Sequence, residues 1–194
     1  MALIHGMWDF EAYRFFVEAA KKDPDCLMAY WGIVLALADP HHEFKVQRAA
    51  AMDRMFDLAD AKAGTQLERG YVAALGYLFA DGNVGSARAF QKLSKTYPND
   101  LQVELLGAFL QRDGYNEFGE ARFGQEEAVR KLKAVFTKHQ DSQMARSFWV
   151  SLNTEAENKD DFLQKEMVPE ARQASLRASG MACWKPCSSC SGLY

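Results

Sequence analysis

Apolar positions along this chain recur at spacings of three and four residues, the period of a helix that buries one face. Read that way, helices are expected near residues 9–22, 26–38, 43–61, 66–80, 84–96, 100–112, 120–138, 142–154 and 160–178. The segments between them carry residues that stop, turn or cap helices: Asp23-Pro24-Asp25, Asp39-Pro40, Asp81-Gly82-Asn83, Tyr97-Pro98-Asn99-Asp100 and Asp113-Gly114. Connections this short force successive helices to run antiparallel. The composition points the same way. With 28 alanines and only 2 isoleucines the chain favours helix over sheet, because alanine loses no side-chain entropy in a helix and β-branched residues lose some. At 194 residues and 48% apolar content it can bury a sizeable core as one domain or one stacked array. The expected class is all-α.

Two phrases repeat within the helical pattern. Ala12-x3-Phe16-x2-Ala19-x4-Pro24 returns as Ser86-x3-Phe90-x2-Leu93-x4-Pro98. Tyr30-x2-Ile33-Val34-x2-Leu37 returns as Val72-x2-Leu75-Gly76-x2-Phe79 and Val103-x2-Leu106-Gly107-x2-Leu110, with a fainter fourth copy at Ala145, Phe148, Trp149 and Leu152. Small residues facing large ones at these spacings let two antiparallel helices pack closely, and the proline ends the second helix of each pair. The steps between first-helix phrases are 42, 31 and 42 residues, and Pro24 to Pro98 is 74. Asp39, Glu43 and Phe44 recur 74 residues later as Asp113, Glu117 and Phe118, which suggests a long and a short repeat used about twice.

In these residues the chain resembles the tetratricopeptide repeat family from about residue 9 to 155. The run Asp23-Pro24-Asp25-Cys26-Leu27-Met28-Ala29-Tyr30-Trp31-Gly32 is also similar to a branch of bacterial repeat proteins of uncharacterised role. The resemblance implies a right-handed solenoid of antiparallel helix hairpins over residues 1–178, with the first repeat incomplete. It also implies a non-catalytic scaffold or adaptor that holds a protein or peptide partner in a concave groove. In that family the first helix of each pair lines the concave wall. The matching positions here are Met28, Trp31 and Leu35; Ala73 and Tyr77; Leu101, Glu104, Ala108 and Gln111; and Gln143, Arg146, Val150 and Asn153. The alternative for Trp31 and Leu35 is plain core, and the two readings stay open here. Members that clamp chaperone tails carry a lysine and an asparagine where this chain has Trp31 and Leu35, Ala73 and Tyr77, or Glu104 and Ala108. Chaperone C-terminal tails are therefore not expected partners.

Both ends depart from a complete array. A helix before Ala12 would need about 13 residues by analogy with the later pairs, and only Met1 to Gly6 stand there. Natural arrays shield their terminal repeats with polar caps. The expectation is a segment of a longer repeat protein, with room for an upstream signal. Residues 179–194 read as a poorly ordered tail rich in cysteine and serine, with Lys185 its only charged side chain.

Charge and chemistry narrow the picture further. A net charge of −3 gives no electrostatic footprint for nucleic acid, and Arg130, Lys131, Lys133 and Lys138 read as one solvated helix face. The longest uninterrupted apolar run, Leu27 to Ala38, is too short for a bilayer, which needs about 20 residues. No membrane partner is expected, and the cytoplasm is the default compartment in the absence of a visible secretory signal. Cys183, Cys187 and Cys190 have one half-site spacing of a zinc knuckle but no fourth ligand nearby, so a metal- or thiol-dependent tail is the rival from another class. His41-His42-Glu43 is a polar turn before it is a ligand pair, since adjacent helical residues point in different directions. Glu126-Glu127 and Asp160-Asp161 lack any visible partner that would raise a carboxyl pKa. A helical enzyme domain with scattered site residues is the remaining alternative; no cofactor is expected.

Overall fold

A computed structural model describes residues 9–38 and 42–153 of the chain. Among them are seven α-helices and one 3-10 turn: α1 Asp9–Lys22, α2 Leu27–Ala36, the turn His42–Phe44, α3 Lys45–Asp60, α4 Gln66–Thr96, α5 Leu101–Phe109, α6 Phe123–Lys138 and α7 Gln143–Asn153. The all-α class expected from composition and period is what the structure has. The expectations for residues 160–178 and for the cysteine tail lie outside the described residues, as do those for both chain ends.

Local chemistry sets the helix boundaries. Two residues past Lys22 and Thr96 stand Pro24 and Pro98, neither of which can continue a helix. At the start of α4, Thr65 and Glu68 form a reciprocal capping box: Glu68 N donates to Thr65 Oγ1 at 3.2 Å and Thr65 N to Glu68 Oε2 at 2.6 Å. Asp100 caps α5 by accepting from Val103 N at 3.0 Å, and Ser142 caps α7 by accepting from Ala145 N at 3.2 Å. Inside α4, Gly82 takes φ 69° and ψ −165°, a combination that residues bearing a Cβ avoid. The sequence expects two helices separated by Asp81-Gly82-Asn83. That glycine makes the separation, dividing α4 into two arms.

The helices pack in chain order, each against the next, and α2 also touches α4 while α5 touches α7. One continuous core runs from Leu27 to Leu152, with Trp31, Met55, Leu75, Phe90, Leu105, Leu132 and Phe148 fully buried. α1 joins through Ala12 against Ala36, flanked by Tyr13, Phe16 and Leu35. Glycines sit where helices come closest. A Cβ on Gly32 would overlap the Phe16 ring; one on Gly70 would come 2.6 Å from Leu93 Cδ1, and one on Gly107 3.2 Å from Phe90 Cβ. These contacts join α1 to α2, one arm of α4 to the other, and α4 to α5.

The 74-residue super-period fails at one matched pair. Phe44 is half-buried and packs against the rings of Phe10 and Tyr13, at 5.9 and 5.7 Å between centroids. Phe118 is 70% exposed at the tip of a loop. The reason is local. α5 stops at Phe109 and α6 starts only at Phe123, because Gly114 and Gly119 both take positive φ (73° and 78°) and an isolated bridge pairs Tyr115 with Ala121. Residues 110–122 are thus a built loop where the sequence expects helix up to 112 and again from 120.

Candidate functional site

The aromatic node at Tyr71 links four segments. Its ring meets Trp31 of α2 edge-on at 5.4 Å and Phe90 of the second α4 arm at 5.5 Å. The Trp31 indole Nε1 donates to the Tyr71 carbonyl at 3.0 Å, and the Tyr71 hydroxyl donates to Asp100 Oδ1 at 2.9 Å. Burial pushes the phenol well above its ordinary pKa, and the hydrogen bond and charge of Asp100 push it further the same way. Stability from this contact is fully present below the ordinary value of 10.0 and drains away as the pH rises above it. Tyr71→Phe is expected to cost about 0.5–1.5 kcal/mol at neutral pH for the lost hydrogen bond, and to flatten the alkaline limb of stability. Urea midpoints measured from pH 7 to 11 check both.

Trp31 therefore belongs to the core. It is 1% exposed and its only polar atom is already paired, so the expectation that it lines an open wall gives way to the core alternative. The reason lies in the helix's surroundings: α2 is covered by α1 on one side and by α3 and α4 on others, leaving seven of its ten residues buried. Met28 and Leu35 are half-buried against the same core. Leu101 and Glu104 are half-buried, and Ala108 is buried. Gln111 accepts from Gln91 Nε2 at 3.0 Å and from Lys131 Nζ at 2.6 Å, which ties α4, the end of α5 and α6 together. Gln143 is exposed, while Arg146 and Val150 are half-buried and Arg146 donates to the Gln140 carbonyl at 3.4 Å. Asn153 is buried and donates to the Trp149 carbonyl at 2.7 Å. Ala73 and Tyr77, both exposed, differ from all of these in lining one open groove.

That groove runs between the two arms of α4 and holds about 840 Å³, within the usual size of a ligand cleft. One wall is a single face of the first arm, Gly70, Ala73, Tyr77 and Asp81; the other is a face of the second arm with Gly85, Arg88, Ala89 and Lys92. Tyr77 is 49% exposed and Val84 56%, which gives the lining an apolar, partly aromatic character. Arg88 and Lys92, one helical turn apart, make no hydrogen bond or ion pair with the described residues. The sequence pattern locates Ala73 and Tyr77 but misses the second wall. The available signal is the run of small residues at helical spacing on both sides of Gly82.

Glu127 sits in an ion-pair cluster on α6. Glu127 lies 2.6 Å from Arg130 and 3.3 Å from Lys131. Arg130's hydrogen bond is the main cause that pulls its carboxyl down to about 2, with Lys131 adding to it. A carboxylate so stabilised stays ionised near neutrality. Among the described residues no group of three or more His, Cys, Asp or Glu could hold a metal ion, and no helix is long and apolar enough to cross a membrane. Cys26 is a free thiol at the start of α2, while Cys183, Cys187, Cys190, His41 and Asp160-Asp161 lie outside the described residues. Comparison with family models, curated proteins and solved structures finds no match for this chain.

Proposed function

We propose that the chain is a non-catalytic interaction scaffold, a right-handed, tetratricopeptide-like stack of hairpins that grips a protein or peptide segment in the α4 groove. The observation that carries this reading is the groove itself: an open cleft with apolar Ala73 and Tyr77 on one wall and two cations on the other with no partner among the described residues. Contacts between α2 and α4, and between α5 and α7, support the stacked arrangement, because first helices of successive pairs meet in such arrays. The segment best matched to this cleft carries a medium-sized apolar anchor with acidic side chains beside it.

Selection from a randomised peptide display library tests the proposal. Enriched peptides are expected to share an apolar anchor flanked by Asp or Glu. Filling the cleft with Ala73→Trp, at an exposed position outside the core, is expected to abolish their binding, and Arg88→Glu with Lys92→Glu to weaken it at least tenfold, about 1.4 kcal/mol. Enriched peptides that bind the filled variant as well as the wild type would refute the assignment.

A further inference from the structure

We propose that the segment received by the α4 groove is supplied by a second copy of this chain, through the loop between α5 and α6; this rests on the reading of that groove as a peptide site. The loop is preorganised. Asn116 Oδ1 accepts from Phe118 N and Glu120 N, both at 2.9 Å, and its Nδ2 donates to Glu120 Oε2 at 2.8 Å. Asn116 N donates to the Glu120 carbonyl at 2.9 Å, and Gly119 N closes the turn on the Asn116 carbonyl at 3.0 Å. The base is pinned to the rest of the fold. Arg122 N donates to the Gly114 carbonyl at 3.1 Å, Gly114 N to Gln125 Oε1 at 3.1 Å, and the Tyr115 hydroxyl to the Leu152 carbonyl at 3.1 Å.

All this hydrogen bonding holds an aromatic ring out in water. Phe118 is 70% exposed at the tip, with Glu117 and Glu120 beside it, also exposed. A rigid projecting aromatic loses little conformational freedom on docking, which is what an anchor residue requires. Its surroundings complement the groove: an exposed ring with Glu117 and Glu120 close in the chain on the loop, and in the cleft an apolar wall at Ala73 and Tyr77 facing Arg88 and Lys92, whose two positive charges outnumber the one carboxylate there, Asp81. Since Phe118 is exposed in its own chain, it does not occupy its own groove; the complementary cleft that it fits is on another copy. Loop and groove are different surfaces, so the contact is head-to-tail and each added copy leaves one of each free. Such contacts grow into rings or open chains.

Light scattering on the full chain, from micromolar to millimolar concentration, tests the proposal. Weight-average mass is expected to rise with concentration and to fall back with added salt. The groove variant (Arg88→Glu, Lys92→Glu) and the loop variant (Glu117→Lys, which leaves the Asn116–Glu120 bond in place) are each expected to stay monomeric with unchanged helical circular dichroism. An equimolar mixture of the two is expected to associate again, because each then meets the charge it lacks. A wild-type chain that stays monomeric throughout, association that survives both reversals, or a mixture that fails to recover would overturn self-docking. If the wild type is monomeric while acidic display peptides still bind and Ala73→Trp still blocks them, self-docking alone falls and the groove stands.

Discussion

Trp31→Ala is expected to lower the stability of the chain by about 3–5 kcal/mol, the range for removing a large aromatic from a packed core. The residue is 1% exposed, its ring meets Tyr71 edge-on, and its indole N–H satisfies the Tyr71 carbonyl at 3.0 Å. Truncation leaves a cavity at the junction of α2 with α4 and an acceptor without that donor, two costs of separate origin. Denaturant unfolding followed by far-ultraviolet circular dichroism measures the loss. A change below 1 kcal/mol would mean that the indole does not fill the junction as described. Such a variant would make a poor probe of partner binding, since a lost partner and a loosened fold would look alike.

Phe148→Ala is expected to have an effect of the same size at the other end of the core. Phe148 is 2% exposed and stacks on Phe109 with 4.6 Å between ring centroids, an aromatic link between α5 and α7. Arg112 lies over the far partner of that stack, 3.9 Å from the Phe109 centroid, and adds a cation–π contact. Deleting the Phe148 ring removes the aromatic stack and opens a void, for an expected loss of about 3–5 kcal/mol. Phe148→Leu is expected to recover more than half of that, because it restores most of the buried apolar volume without the stack. The same denaturant titrations separate the two outcomes.

Helix positions were legible from sequence because the stops and starts are chemically explicit. Pro24, Pro98, Thr65 with Glu68, Asp100 and Gly82 each act through their own backbone or cap, within a few residues, so no tertiary context is needed to read them. Two further features depended on distant partners. Whether Trp31 faces a guest or the interior depends on how α1, α3 and α4 close around α2, and that packing is set by contacts up to 40 residues away. The α5–α6 loop is held by a side chain, Asn116, and by anchors on α6 and α7; its length alone looks like two helices with a shared end. The groove lay between these cases. Ala73 and Tyr77 follow from the repeat pattern, while the facing wall at Gly85, Arg88 and Lys92 follows only when the two arms of α4 are seen folded at Gly82.

The proposed scaffold requires that the hairpins stack one after another. Hydrogen exchange read by mass spectrometry on Trp31→Ala and Phe148→Ala tests it most directly. In a stack, stability is a sum of nearest-neighbour interfaces, so damage at one end stays near that end. The expected result is a crossed pattern: Trp31→Ala speeds exchange in α1 to α3 more than in α6 and α7, and Phe148→Ala does the reverse. Equal acceleration of all seven helices by both variants would contradict the stacked arrangement and favour a single cooperative globule.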